Sequence, residues 1–192
     1  MPANTPIKVC SRASVLMGGS PISSFDEGTA EADVVDAMYE DIARAALTST
    51  RWRFATNQQV LNRLAAAPTS RYDAAYQMPS DLLMLSAVTV NDDPIIYDTY
   101  GDKVYCDTTT EEVVVADYIY RASESSWPSY FTLAVEFQVA AMLSISIARD
   151  ASLGSMMDQQ AERQMIKARR LDSQQQTTRK LMTSRFIAQR RS

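Results

Sequence analysis

The spacing of apolar residues changes period twice along this chain. In "EADVVDAMYEDIARAALTST", Val34, Val35, Met38, Ile42, Ala45 and Ala46 recur at helical spacing. Thr29 suits the N-cap of that helix, and Glu31 and Asp33 suit its positive end. A shorter helix is expected in "CSRASVLMGGSP", stopped by Gly18, Gly19 and Pro21. The ten residues before it, with Pro2 and Pro6, read as an extended lead-in. From Trp52 to about Tyr120 the period falls to two. "RWRF" is a strand-like entry, "LLMLSAVTV" and "PIIYD" flank the turn "NDD", and "KVYCD" follows the turn "YGD". "EEVVVADYIYRA" is the longest strand candidate. Strands this closely spaced predict an antiparallel meander, a small sheet inserted between two helical pieces.

Helical spacing returns after "SESSWPSYF", where Ser126 or Ser129 can cap and Pro128 fits the first turn. That helix is expected to run to about Arg149. "DASLG" breaks it, and Ser152 is the expected cap of the next. The last helix carries Leu153, Met156, Met157, Ala161, Met165, Ala168 and Leu171 on one stripe. Met156, Met157 and Met165 read as core in preference to a partner surface. Beyond Asp172 the chain is polar, with Leu181, Met182, Phe186 and Ile187 as isolated apolar points.

The run "WPSYFTLAVEFQVAAMLSISIAR", residues 127–149, is the most apolar in the chain. A membrane span needs about 20 mostly apolar residues. The strong hydrophobes between Phe131 and Ile147 are worth about −2 to −5 kcal/mol on an insertion scale, and one ionised central residue costs about +2.5 to +3.5 kcal/mol. Glu136, Gln138, Thr132, Ser144 and Ser146 bring the balance near zero, so no membrane is expected and the chain is read as soluble. As a helix the run has a bulky face (Phe131, Val135, Val139, Met142, Ile145) and a small-residue face (Ala134, Ala140, Ala141, Ser144, Ala148). The small face would admit a close neighbour, either within the chain or from the next subunit.

A chain of 192 residues that is 46% apolar can build a sizeable core as one domain. Cys10 and Cys106 are far apart and lack metal spacing, so a disulfide framework is not expected. Histidine is absent, which removes Ser-His-Asp and Cys-His catalysis and histidine-ligated metals. No nucleotide-binding glycine loop occurs, and "MGGSP" is a turn. Asp92 and Asp93, with Asp98, Asp102 or Asp107, read as hairpin-tip residues in preference to a cation site. No catalytic residue, metal or cofactor is expected, and the chain does not read as an enzyme.

Charge is unevenly spread. From Asp158 onward there are nine basic and three acidic residues; before it there are ten and twenty. A basic C-terminal arm on an acidic body points to an anionic partner or to a solvated tail. Arg179, Lys180, Arg185, Phe186, Ile187, Arg190 and Arg191 combine charge with apolar anchors, which suits docking into a partner's groove. Nucleic acid is the alternative partner, because Arg and Lys bind phosphates, although no base-reading signature accompanies the arm.

Several stretches, read in order, resemble one family. They are "GGSPISSFDEGTAEADVVDAMYEDIARAALTSTRWRFATN", "YQMPSDLLML", "YGDKVYCD" and "WPSYFTLAVEFQVAAMLSISIARDASL", followed by Arg169, Arg170 and Asp172. The set, over roughly residues 11–175, resembles the head-to-tail adaptors of tailed bacteriophages, the tail tubular protein A type of short-tailed phages. "RWRF" departs from the more usual Gly-Trp, and residues 59–75 match poorly. The resemblance implies an α+β fold, mainly a helical bundle with a small antiparallel β insertion and an extended C-terminal arm. The adaptor domain would be residues 1–171, with the insertion at about 52–121, and the arm residues 172–192. It implies a structural virion protein of the phage neck, assembled in the host cytoplasm. About twelve copies would form a ring that binds the portal protein through the arm and the tail nozzle protein through the β region. Genomic DNA would pass through the lumen without specific binding, past an acidic wall that does not neutralise phosphate.

Overall fold

The computed structural model describes residues 4–66, 68, 69 and 71–175. The first helix, α1 (Pro6–Leu16), starts earlier than expected. Pro6 opens it, at the position where a missing N–H goes unused, and the Thr5 side chain accepts from the Lys8 N–H. Gly18, at φ +89°, takes the chain out of the helix through a left-handed turn. The loop that follows is tied by Glu27, whose carboxylate accepts from the Ser23 hydroxyl, the Ser23 N–H and the Thr29 hydroxyl. Those bonds hold its carboxyl down at about 2, so the tie persists above the usual carboxylate range and is lost as pH falls towards 2. Thr29 then caps α2 (Ala30–Thr48), as its sequence position predicts.

After α2, "RWRF" is not a strand. Arg53–Ala55 form a short 3-10 turn, because Trp52 and Phe54 both turn into the helical core and are not shared between two faces of a sheet. Eight strands follow: β1 (Thr56–Val60), β2 (Asn62–Arg63), β3 (Ala74–Gln77), β4 (Leu82–Val90), β5 (Asp93–Pro94), β6 (Tyr97–Tyr100), β7 (Lys103–Cys106) and β8 (Val114–Tyr120). They form two four-stranded antiparallel sheets, ordered β1-β8-β4-β5 and β2-β3-β7-β6.

This corrects two expectations. The β region is not a small insertion on a helical bundle; the described residues form a mixed fold of four helices and two four-stranded sheets. Nor is it a meander. β1 pairs with β8, Thr56 opposite Ile119, and β3 pairs with β7, Ala74 opposite Cys106. A period of two identifies strands but not which strand each one meets. The β4–β5 turn does follow its residues, with Asn91 and Asp92 both at positive φ as a tight hairpin needs. Leu61 lies between β1 and β2, where the chain passes from one sheet to the other, and donates its N–H to Val114. Leu61, Tyr76, Val88, Val90, Val104, Cys106, Val114 and Ala116 fill a core from both sheets.

The helical core is separate and larger. It is centred on α3 (Ser129–Ser146), against which α1, α2 and α4 (Ala151–Gln174) all pack. α3 ends at Ser146, short of Arg149, and Asp150 caps α4 in place of Ser152, accepting from the N–H groups of Ser152 and Leu153. A carboxylate at that position accepts two of the orphan donors of the first turn. By length and mean hydropathy α3 is apolar enough to cross a membrane, but here it is the core helix, with ten residues buried. Most of both faces is covered, Phe131, Val135 and Val139 on one side and Ala134, Ala140, Ala141 and Ser144 on the other, whereas Ile145 and Ala148 near the C-terminal end are exposed. The close neighbour of the small face is α4. A Cβ at Gly154 would stand 2.5 Å from Ile145 Cγ1 and 3.5 Å from the Ala141 carbonyl. Met157 and Met165 are buried in the α4 seam, whereas Met156 and Leu171 are exposed.

Phe131 stands at the centre. Its ring centroid lies 5.0 Å from Trp52, 4.9 Å from Phe54 and 4.9 Å from Trp127. These rings come from two stretches of sequence about seventy residues apart, each held by its own elements, so Phe131→Ala empties a site that cannot collapse. It is expected to lower stability by about 3–5 kcal/mol, read from denaturant unfolding. A loss near that of a surface substitution would remove Phe131 from this central role.

Candidate assembly surfaces

Two polar junctions hold the elements in place. The first joins the sheets to the helices. Arg121 follows β8, and its guanidinium reaches Glu40 on α2 at 2.9 Å and Glu124 at 2.6 Å, just before α3. Its Cζ sits 5.6 Å from the Trp127 ring centroid. Glu124 is buried and also accepts from the Tyr39 hydroxyl at 2.9 Å. Burial, then the charge of Glu124, raises the Tyr39 hydroxyl well above its ordinary value. Burial opposes the charge on Arg121, but the bonds to Glu40 and Glu124 outweigh it and raise its pKa. No periodicity in the sequence marks this junction, because residues 39, 40, 121 and 124 meet only through the fold.

The second junction fixes the end of α4. Asp172 is buried; it accepts the Arg53 backbone N–H at 3.1 Å and the Tyr130 hydroxyl at 3.0 Å. Burial and that bond push the Tyr130 hydroxyl up to about 12. Arg169 and Arg170, next to it in sequence, are exposed. The expected boundary between domain and arm at residue 172 therefore moves: α4 continues to Gln174, and Asp172 belongs to the core. Arg179, Lys180, Arg185, Phe186, Ile187, Arg190 and Arg191 all lie outside the described residues.

A third contact explains the carboxylate in the apolar helix. Glu136 is buried in α3 and pairs with Arg12 of α1. Burial pushes its carboxyl up, and Arg12 pulls it back in part. A raised carboxylate makes the folded state hold its proton longer, so this group costs stability as pH rises above the ordinary Glu value.

The described residues hold no group of three or more acidic or sulfur side chains placed to share a metal. Among the aspartates of the β hairpins, Asp98 accepts from Tyr72, Asp102 from Gln77 and Asp107 from the Asp73 N–H, and Asp92 and Asp93 are exposed at the β4–β5 turn. Cys10 and Cys106 are unpaired and buried, one in each core, and burial pushes the Cys10 thiol up to about 12, far from a reactive thiolate. The exposed features of the helical layer are of a different kind. α2 and α4 flank α3 and leave a groove of about 530 Å³ over it, and the outer face of α4 is basic.

No known protein family has a sequence model that matches this chain, and no curated protein matches it.

Removing the cation of the first junction strands a buried charge. Arg121→Met is expected to destabilise by about 3–5 kcal/mol, and adding Glu124→Leu should restore part of that loss. Chemical denaturation of the two variants and their combination reads the coupling. Additive losses would contradict a shared network.

Proposed function

We propose that this chain is a non-catalytic assembly protein, a head-to-tail adaptor of the tailed-phage type. In this reading copies form a ring beneath the portal, and residues 176–192 engage the portal protein. The sheets face the tail nozzle protein, and DNA passes through the lumen without specific binding. One observation supports it above the rest. The residues that carry the resemblance are scattered from position 18 to 172, yet those of the helical half meet: Trp52, Phe54, Trp127 and Phe131 stack together, and Asp172 ties Arg53 to Tyr130. A set of weak motifs that converges on one cluster behaves as the signature of a shared core.

The buried, closed-shell chemistry of the described residues accords with a structural role. The thiol and both junction tyrosines with raised pKa values are protonated at neutral pH, and the buried carboxylates are bonded to donors within the chain.

The test is truncation. The latch shows where to cut: ending the chain after Gln175 spares Asp172, whereas ending it after Leu171 would break the core. The shortened chain should unfold like the full one and lose portal binding, measured by co-sedimentation with portal rings and by negative-stain imaging. The full-length protein should add a ring to the portal. Full-length protein that leaves portal rings bare would end the adaptor reading; a shortened chain that still binds would end the role given to residues 176–192.

A further inference from the structure

The groove beside α3 and the outer face of α4 are complementary in charge, and each carries exposed apolar residues. The groove floor is apolar, made by Ala141, Met142 and Ile145, with Met38 as one wall. Met38 is 41% exposed and Ile145 59% exposed, so this apolar surface is open to solvent. The Gln138 side-chain oxygen, also on the lining, is buried and accepts no hydrogen bond among the described residues. The rims are acidic. Asp158 lines the α4 side, with Glu162 one turn further on; Asp41 lies one turn from Met38 on the exposed side of α2. α2 as a whole carries Glu31, Asp33, Asp36, Glu40 and Asp41 against a single basic residue, Arg44.

The opposite character runs along α4. Arg163, Ile166, Lys167 and Arg170 stand at spacing i, i+3, i+4 and i+7 and are all exposed, which makes one outward stripe. Ile166 is 50% exposed at its middle. Among the described residues, none of Arg163, Lys167 and Arg170 forms an ion pair, and neither does Asp41, Asp158 or Glu162. An acid-rimmed apolar groove and a basic stripe with an apolar centre are thus both left without partners.

We propose that the groove of one copy receives the α4 stripe of a second copy, Ile166 seating over Met142 and Ile145 and the cations meeting Asp41, Asp158 and Glu162. The groove uses residues 151–158 of α4 and the stripe residues 163–170, so one chain gives and receives at the same time. A contact between two different faces propagates, and it closes into a ring when the rotation allows. The proposal rests on the ring reading above only for that closure; the pairing itself follows from charge and from the exposed apolar residues on both faces. Its cations are exposed, so added salt weakens it.

The experiment uses the full chain. Sedimentation velocity at rising protein concentration and low salt should show reversible association that high salt weakens. Arg163→Glu with Lys167→Glu should cut association at least tenfold, as should Asp41→Lys with Asp158→Lys. Mixing the two reversed proteins should restore it, because each stripe then meets a groove of opposite sign. That recovery also shows that both variants are folded. A chain that stays monomeric at all concentrations overturns the proposal, as does association that ignores both reversals. If association is instead lost on removing residues 176–192, the groove belongs to that segment. If the stripe reversal abolishes binding of duplex DNA and leaves self-association intact, the stripe belongs to nucleic acid. These readouts involve no portal, so their outcome is independent of whether the chain binds one.

Discussion

Everything in the helical half depends on covering most of α3. An 18-residue helix with ten buried residues needs several neighbours, and α1, α2 and α4 all pack on it, leaving Met142 and Ile145 at the edge of an open groove. At the first turn the cover is made of aromatic rings. Phe131 brings together Trp52 from the entry to the β region, Phe54 from the 3-10 turn and Trp127 from the exit. The two ends of a long β excursion are thereby closed at one point, and the Trp52 and Trp127 indoles anchor them further by donating to the Ala46 and Ala122 carbonyls. The sheets can then form their own core, because their exit and entry are already fixed in register.

What the sequence reveals follows from the range of each interaction. Caps and helix spacing are local: Thr29 caps α2 as expected, and of the stripe expected on α4, Met157, Ala161, Met165 and Ala168 are buried, whereas Met156 and Leu171 are exposed. Local rules also fail where two candidates compete within a few residues. Pro6 suggests an extended lead-in and is instead a helix opener; Asp150 outcompetes Ser152 for the cap because an ionised oxygen is the better acceptor at a positive helix end. Strand pairing is not local at all. Nothing in "TNQQV" announces that it will lie against "VVADYIY" some sixty residues later, so the extent of the sheets was underestimated. The same holds for the polar junctions. Glu136 in an apolar helix reads as a cost until Arg12 is placed beside it, and Asp172 reads as the start of an arm until Arg53 and Tyr130 claim it.

The candidate surfaces divide on the same lines. The basic character of the C-terminal region is visible in composition, and with it the prospect of an acidic or portal-like partner. Composition does not show that α4 turns its cations outward in a single stripe, or that the acids of α2 and α4 rim an open apolar groove. Those are properties of how α2, α3 and α4 are set against one another. The buried carboxylates Glu124, Glu136 and Asp172 are bonded within the chain, whereas Asp41, Asp158, Arg163 and Lys167 are exposed and form no ion pair among the described residues.

The Asp172 latch also determines how the chain bears force. A helix that simply ended at its last turn would peel from its tip when pulled by whatever follows it. Here the last turn of α4 is bonded to the backbone of Arg53 and to the root of α3 through Tyr130. Tension arriving through the C-terminal segment is therefore delivered sideways into the aromatic centre, against several bonds loaded together, and not along α4 one turn at a time. The residue that closes the domain is also its mechanical anchor.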